Sequence, residues 1–388
     1  MPDHDDDLLV EGNTLTKAWL AKELETHFDE KPTITEVASL GPDTLGYMSA
    51  MRRVRLHWEN PADKPQSLVI KMPSFVAATA AWKESAETKH DLEDQGKIVI
   101  TMMHDCEARV YAMLSKYPEF RLSIPFVYTT LQMNTGTPII VMEDLERGCT
   151  YDVVDGFSEK QLYAIVDELV KLHVLSFKYR EVVTCGIDSG NCAPPEQFED
   201  LVRGVADQLL KQRGDELAAI RILKKHYIDI DWFQELLKLT KNGHTVLTHG
   251  DLWAPQILWK GDKILGIVDW ALCKQGGLTV DLMHVLSMSV PVKLRHEITE
   301  SLLVYYHEQL NEKLEAHGIE EKITTEMIKK DWHDNMPYHA TLAVFAAGMW
   351  SNSPVLKRGR DDDEARINEI MQRCKAFVEE TVAAHQWE

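Results

Sequence analysis

Two aspartates on either side of a predicted hairpin most constrain what this chain can fold into. Asp251 directly follows His249 and Gly250, and the glycine allows a tight turn that holds Asp251 out of the preceding apolar run. A short strand, a Gly-Asp turn signal and a returning strand then lead to Asp269 in Ile-Val-Asp-Trp. Such a hairpin brings the second carboxylate back beside the first loop. Two neighbouring acidic groups can serve a proton and a metal ion together, which suggests phosphoryl transfer.

The same stretch offers oxygen ligands for a magnesium ion. Mg²⁺ usually takes one or two ligands from protein and completes its octahedron with phosphate oxygens and water. Asp269 and the amide oxygen of Gln256 are the natural candidates. We therefore expect these two side chains to hold the metal and Asp251 to receive a proton.

His-Gly-Asp-Leu-Trp, followed by a strand and Ile-Val-Asp-Trp, resembles the CHK kinase-like family. These choline-kinase-like and ecdysteroid-kinase-like enzymes are related to aminoglycoside phosphotransferases and have a bilobal protein-kinase-like fold. The resemblance implies an α+β chain with a small, sheet-containing nucleotide-binding lobe at residues 1–145. A larger, mainly helical lobe at residues 146–388 would carry the catalytic and acceptor-binding residues. It also implies ATP as the phosphoryl donor, Mg²⁺ as the metal and a small molecule with a hydroxyl group as the acceptor.

The family pattern assigns roles to three positions of this stretch. It has an aspartate as catalytic base, an asparagine that holds magnesium and a second aspartate that bridges the metal to the phosphates. Asp251 and Asp269 match the first and last, whereas Gln256 stands where the family has asparagine. The extra methylene moves the amide oxygen outward in a metal site that tolerates little geometric error. Two interpretations stay open: a working kinase, since glutamine offers the same oxygen, and a pseudokinase that binds nucleotide or a small ligand.

A candidate phosphate loop lies far upstream and contains Gly41 and Gly46. A glycine loop ahead of a strand can lie over phosphates because its backbone approaches without a side-chain clash, although two glycines are more often only a turn. Gly46, Met48 and Ser49 belong to a Gly-Tyr-Met-Ser segment that resembles the family's Gly-Phe-Met-Ser. The alternating residues 53–58 predict a half-buried strand after the loop.

Lys71 lies near the end of an apolar strand predicted at residues 67–73. A lysine there can reach nucleotide phosphates as a point charge, and the alternative is a surface lysine at a strand edge. Glu107, in a helical stretch at residues 104–114, matches the partner in the Lys-Glu ion pair of kinase folds. We expect the polar segment between the two residues to contain an inserted helix with a solvated charged face.

An apolar strand predicted at residues 138–142 runs into Glu143, Asp144 and Leu145. This segment resembles the hinge between the lobes of the family. Adenine would bond to backbone groups there, so residues from Met142 to Leu145 are the candidates for lining its slot. A buried central strand is an equally compatible interpretation.

Beyond this hinge, helical periodicity dominates. Ser158 begins a capping-box pattern, and further helices are predicted at residues 292–317, ending at Gly318, and from about 362 towards 384. His173 lies on an apolar helix face and is interpreted as a core histidine. The first helix is predicted to begin near residue 13 or 14, after a mobile stretch at residues 1–12.

Several residues around the two loops receive supporting roles. His249 belongs to the candidate catalytic loop, where we expect hydrogen bonding rather than acid-base work. Asp281 matches a family aspartate bonded to that loop, and a helix N-cap is the alternative. Gly250 stands where protein kinases typically have arginine, which favours a small-molecule acceptor over a protein. Aromatic and apolar side chains that could line the acceptor pocket, or only pack in the core, are Trp253, Trp270, Phe345, Met349 and Trp350.

The composition narrows the partners. A formal net charge of −20 argues against a nucleic-acid footprint and against binding to anionic membranes. Six cysteines without paired metal-ligand spacing indicate reduced thiols. No run approaches membrane-spanning length and no signal core is evident, so we expect a cytoplasmic protein. The sequence does not predict the oligomeric state or the identity of the acceptor.

Overall fold

A computed structural model describes residues 7–10, 14–40, 49–74, 89–187 and 196–388. The chain divides into two compact units, the first formed by residues 1–118, 124–146 and 269–271 and the second by residues 119–123, 147–268 and 272–388. The segment Asp269–Ala271 therefore belongs to the first unit, although its neighbours along the chain belong to the second. Gly41, Gly46 and Met48 lie outside the described residues.

The first unit is built around a sheet with the strand order β1-β2-β3-β5-β4, in which neighbouring strands pair antiparallel. The central strand β3 is buried along nearly its whole length because it is apolar on both faces. The strands predicted at residues 53–58, 67–73 and 138–142 are confirmed. The described strands are β1 Thr33–Ser39, β2 Ser49–His57, β3 Ser67–Pro73, β4 Val127–Leu131 and β5 Ile139–Glu143.

Two helices of the first unit differ from their predicted bounds. Helix α1 is Lys17–Phe28, and it begins later than predicted because the hydroxyl of Thr16 accepts a hydrogen bond from the amide of Trp19 at 3.1 Å. Helix α2 runs without interruption over Lys89–Leu114, so the end of the polar segment extends the helix that carries Glu107. Residues 75–88 of that segment lie outside the described part.

The core of the first unit includes a residue near the start of the chain. Leu9 is only 2% exposed, and its amide donates to Leu15 at 2.9 Å. The expectation that residues 1–12 are mobile is therefore wrong for Leu9, while residues 1–6 and 11–13 lie outside the described part. Side chains that pack with Leu9 come from α1 and the sheet: Leu20, Leu24, Val54, Leu68, Ile70 and Val141.

The second unit is mainly helical. Its capping box at Ser158 and Gln161 is present as predicted, and Gly318 follows one long helix with a φ of 69°. Its described helices are α3 Glu159–Lys178, α4 Arg180–Val183, α5 Glu196–Arg213, α6 Ala219–Leu223, α7 Trp232–Asn242, α8 Val280–Met288, α9 Val292–Ala316, α10 Thr325–Trp350 and α11 Asp363–Ala384. The α+β class is thus confirmed, with a sheet in the first unit and a helical second unit.

Two short antiparallel pairs complete the second unit. Strand β6 is Val246–Thr248 and pairs with β9, Lys274–Gly276. Strands β7, Ile257–Lys260, and β8, Lys263–Ile267, form the predicted hairpin around Gly261. This hairpin follows the Asp251 loop and ends just before Asp269.

The core of the second unit contains the predicted core histidine. His173 is buried, its Nδ1 lies 2.6 Å from the hydroxyl of Tyr306, and burial lowers its pKa to about 3. It is therefore a neutral packing residue at neutral pH. Within the described residues, no helix combines the length and the apolar character needed to cross a bilayer.

Candidate active site

Lys71 lies between two carboxylates of the first unit. Its Nζ is 2.6 Å from Oε2 of Glu107, on α2, and 2.7 Å from Oδ1 of Asp269. Only 9% of the Lys71 side chain and 2% of the Glu107 side chain are exposed, whereas 40% of the Asp269 side chain is. A buried ammonium is stable only beside negative charge, which Asp269 supplies and to which Glu107 adds as it ionises near pH 7. Asp269 presents this ion cluster to solvent.

Burial and pairing act in opposite directions on the pKa values of this cluster. Burial lowers the pKa of Lys71, but the charges of Asp269 and Glu107 outweigh this effect and raise it above its ordinary value. Burial raises the pKa of Glu107 to about 7, against the opposing charge of Lys71. The pKa values of Lys71 and Glu107 therefore depend on each other and on the nearby Asp269 carboxylate.

Asp269 holds its position with an unusual backbone. Its φ of 64° lies in the left-handed region, which costs about 1–2 kcal/mol for most L residues and which aspartate tolerates better. Residues held in such conformations cluster at active sites and ligand clamps. Just before it, the amide of Val268 donates to the carbonyl of Gln256 at 2.9 Å, which ties the end of the hairpin to its start.

In the second unit, the loop that carries Asp251 depends on a glycine. Gly250 has a φ of 81°, and a Cβ at this position would lie 2.2 Å from the carbonyl oxygen of Leu272. Such a distance is far below van der Waals contact. Only glycine therefore allows the loop to pass this close to the backbone of Leu272.

Asp281, at the start of α8, fixes the backbone of the same loop. Its Oδ2 accepts from the amide of His249 at 2.7 Å, and its Oδ1 accepts from the amide of Gly250 at 3.0 Å. The predicted bond from Asp281 to the loop is thus present, and the N-cap position belongs to Thr279. Two buried amides are satisfied by one carboxylate, which makes the loop rigid.

His249 braces the loop from the other side. Its Nε2 lies 2.9 Å from the carbonyl oxygen of Val268, and its Nδ1 accepts from the amide of Asp251 at 3.3 Å. The two contacts require a neutral imidazole with the proton on Nε2. His249 accordingly has the geometry of a supporting residue.

The carboxylate of Asp251 is 36% exposed and lies beside a histidine that the sequence reasoning missed. Nε2 of His284 is 3.3 Å from Oδ1 of Asp251. Behind it, the ring of His339 on α10 lies with its centroid 5.7 Å from the His284 ring. Burial, followed by the nearby His284 and Lys274, lowers the pKa of His339 well below its usual range. The available signal was the spacing of Asp281 and His284, which places both on one face of a helix.

Gln256 and Asp269 are the two candidate metal ligands, in the second and first units respectively. Gln256 ends a short turn before β7, and its backbone amide donates to the carbonyl of Trp253 at 3.0 Å. No group of three or more histidine, cysteine, aspartate and glutamate side chains suited to a metal occurs within the described ranges. Taken separately, the Asp269 carboxylate and the Gln256 side-chain amide each offer an oxygen of the kind that Mg²⁺ takes from proteins.

The side chains at the predicted hinge have structural partners. Asp144 accepts hydrogen bonds from Nε of Arg53 at 2.7 Å and from the hydroxyl of Ser67 at 2.6 Å. The amide of Glu143 donates to the carbonyl of Phe126 at 2.7 Å, while Met142 is buried in the sheet. The backbone amide of Glu143 is therefore already paired within the first unit. Ser49, the described residue of the glycine loop, opens β2 opposite Pro73.

The structure separates the aromatic residues that were candidates for an acceptor pocket. Trp253 stacks on Trp350 with ring centroids 4.6 Å apart, and Phe345 meets Phe198 in the helical core. Trp270 is buried in the first unit instead. Trp253 is two residues from Asp251 in the sequence, so this stacked pair adjoins the Asp251 loop through Trp253.

A family model, DUF1679, described as "Uncharacterized oxidoreductase dhs-27", matches residues 17–388. The chain belongs to the DUF1679 family. A curated relative of this DUF1679 chain, "Uncharacterized oxidoreductase dhs-27" from Caenorhabditis elegans, is 26% identical over 361 residues. The match covers 87% of the chain but only 42% of that protein, so the chain spans less than half of its relative's length.

Solved structures similar to this DUF1679 chain include two phosphotransferases and an ethanolamine kinase. Macrolide 2'-phosphotransferase MphH from Brachybacterium faecium is 16% identical, with 90% of this chain and 96% of that chain covered and a TM-score of 0.43. ADP-bound aminoglycoside phosphotransferase APH(2'')-Ib is 15% identical, with 94% and 99% covered and a TM-score of 0.41. Ethanolamine kinase from Plasmodium vivax is 15% identical, with 88% and 81% covered and a TM-score of 0.43.

The close approach at Gly250 predicts a large effect of adding one methyl group. Gly250→Ala is expected to lower the free energy of unfolding by about 3 kcal/mol, because left-handed strain and overlap with Leu272 act together. Gly261→Ala is the matched control, since its φ is 61° and nothing lies within 4 Å of the added Cβ. It should cost only about 1 kcal/mol in urea denaturation. Equal losses in the two variants would contradict the contact with Leu272.

The raised pKa of Glu107 predicts a pH dependence of stability. The folded protein keeps this proton up to about pH 7, whereas the ordinary pKa is 4.5. Glu107 therefore contributes stability that is fully present below pH 4.5 and is lost as the pH rises through 7. In Glu107→Gln, residue 107 cannot titrate. Between pH 4.5 and 7, the free energy of unfolding of this variant should therefore fall more slowly than that of the wild type, by up to about 1.4 kcal/mol per pH unit. Urea titrations at several pH values test this, and parallel curves for the two proteins would contradict it.

Proposed function

We propose that this chain is an ATP-dependent kinase that transfers the γ-phosphoryl group to a hydroxyl of a small molecule. The observation that carries the proposal is the buried ion cluster of Lys71, Glu107 and Asp269. A lysine fixed by a helix glutamate, together with an aspartate that can meet a metal, is the arrangement that kinases use around nucleotide phosphates. Residues widely separated in the sequence form this cluster in the first unit.

Each side chain has a role that its surroundings support. Asp251, on a loop held by Asp281, accepts the proton of the acceptor's hydroxyl. Lys71, held by Glu107, offsets negative charge on the transferred group. Asp269 and Gln256 would hold Mg²⁺, which when bound neutralises charge on the phosphate oxygens. Phosphoryl transfer depends mainly on positioning and electrostatic stabilisation, so these groups are chemically sufficient.

The family description names an oxidoreductase, which is a different reaction class. A dinucleotide site of the Rossmann type would use Gly-X-Gly-X-X-Gly after a strand of a parallel sheet. The sequence contains no such motif, and the strands of the first unit pair antiparallel. The described side chains thus favour phosphoryl transfer. A pseudokinase remains the alternative, because Gln256 replaces the asparagine of the kinase pattern.

The proposal predicts ADP release that depends on an acceptor. Purified protein is incubated with Mg²⁺, ATP and a panel of hydroxyl compounds, and ADP is measured. Asp251→Asn should lower turnover by about 100-fold or more, because it removes the base, while stabilisation by Mg²⁺ and ATP persists in thermal melts. Asp262→Asn, at the exposed hairpin turn, is the matched control and should retain wild-type turnover. Stabilisation without turnover for any acceptor would favour the pseudokinase. The absence of both stabilisation and turnover would refute the kinase and the pseudokinase alike.

The role of Gln256 predicts a change in the requirement for Mg²⁺. Gln256→Leu removes the amide oxygen at nearly constant volume and is expected to raise the Mg²⁺ concentration for half-maximal rate by about tenfold or more. Gln256→Asn keeps an oxygen and should stay within about threefold of the wild type. Initial rates measured across a Mg²⁺ series test the prediction. An unchanged requirement in the leucine variant would show that Gln256 is not a ligand.

A further inference from the structure

One face of α8 meets the Asp251 loop at two points. Asp281 binds the loop backbone through the amides of His249 and Gly250. His284, three residues further along the helix, meets the carboxylate of Asp251 itself, with 3.3 Å between Nε2 and Oδ1. Residues three apart on a helix share a face, so one rigid element controls both the loop and its reactive side chain.

Packing alone does not explain a histidine at position 284. The residue is 6% exposed, and its Nδ1 is buried without a hydrogen-bond partner among the described residues. A buried polar nitrogen without a partner is destabilising, so an apolar side chain of similar size would serve a purely structural role better. The polar group that His284 does meet is the carboxylate of Asp251. The contact with Asp251 therefore offsets the cost of burying the unpaired Nδ1 of His284.

His284 contacts the carboxylate of Asp251 and the ring of His339, and a second basic side chain, Lys274, lies near His339. His339, on α10, faces the His284 ring edge to face, and both of its nitrogens are buried without partners in the described structure. Lys274, on β9, donates to the hydroxyl of Tyr338 at 2.6 Å. Burial lowers the pKa of His339 and so keeps this side chain uncharged. The neutral His339 ring packs against the His284 ring. The His284 ring is thereby packed with its Nε2 3.3 Å from Oδ1 of Asp251.

We propose that His284 is a positioning residue for Asp251: its Nε2, 3.3 Å from Oδ1, donates to that oxygen in the reacting complex and thereby directs Oδ2 at the acceptor's hydroxyl. The inference rests on the proposed kinase function. In the reaction, the hydroxyl oxygen bonds to the γ-phosphorus, the bond from that phosphorus to the ADP oxygen breaks, and the hydroxyl proton passes to Oδ2 of Asp251. His284 keeps its own proton throughout. Fixing the carboxylate before reaction avoids an orientational cost in the transition state.

Two substitutions at one position separate positioning from packing. His284→Gln keeps an N–H donor near the position of Nε2, whereas His284→Leu fills similar space without a donor. The leucine variant should lose about tenfold or more in kcat with an unchanged KM for ATP, and the glutamine variant should stay within about threefold of the wild type. His173→Leu, a buried histidine bonded to Tyr306, is the control that should lower the melting temperature but retain kcat. Equal losses of kcat in the two His284 variants would overturn the proposal.

A second measurement tests the contact without turnover. Melting temperatures are compared for Asp251→Ala, His284→Leu and the double variant, in the absence of nucleotide. If Nε2 binds the carboxylate, the double variant should lose at least about 2 °C less than the sum of the single losses. Additive losses would refute the contact and with it the proposal. Coupled losses in a protein that phosphorylates no acceptor would overturn the kinase function and the catalytic part of this inference, while the contact itself would stand.

Discussion

The ammonium group of Lys71, in the middle of the first unit's sheet, is the charge on which the ion cluster of that unit depends. Desolvation of a single charge in this position would be prohibitive, so the strand can carry a lysine only if carboxylates reach it. Glu107 arrives from α2 and Asp269 from the end of the hairpin, at 2.6 Å and 2.7 Å. The cluster thereby specifies the position of a helix and of a distant chain segment relative to β3. The same two contacts that stabilise the buried ammonium are those on which the proposed kinase function rests.

The loop of the second unit shows a different way to fix a carboxylate. Asp251 is half exposed, and its position comes from its neighbours: a glycine that fits beside Leu272, an aspartate that binds two amides and a histidine held in one tautomer. Behind it, Nδ1 of His284 and both ring nitrogens of His339 are buried without hydrogen-bond partners among the described residues. Such groups weaken a fold, and proteins tend to retain them where function requires a defined geometry.

Local patterns predicted much of the fold and part of the site. The strand of Lys71, the hairpin before Asp269 and the capping box at Ser158 follow from hydrophobic period and turn chemistry, and the structure contains all three. The pairing of Lys71 with Glu107 came from a resemblance to a family, since no local pattern joins a strand to a helix so far along the chain. The position of His284 beside Asp251 was not predicted, because a single histidine in an apolar helix is typical of a buried core helix. Only tertiary packing reveals that its ring meets Asp251.

The start of α1 and the burial of Leu9 also depended on context. The side-chain hydroxyl of Thr16 caps α1 and thereby sets where the helix begins. Leu9 is buried because it packs with residues of α1 and of the sheet. Neither effect is visible in a window of sequence, because the first is a competition among several candidate caps and the second requires the assembled sheet.

The membership of Asp269–Ala271 in the first unit has a consequence for biosynthesis. A ribosome delivers β1 to β5 more than a hundred residues before it delivers this tripeptide. Until Asp269 leaves the exit tunnel, Glu107 can reach Lys71 but Asp269 cannot. The first unit therefore completes its electrostatics only after much of the second has been synthesised, so its maturation is coupled to the progress of translation.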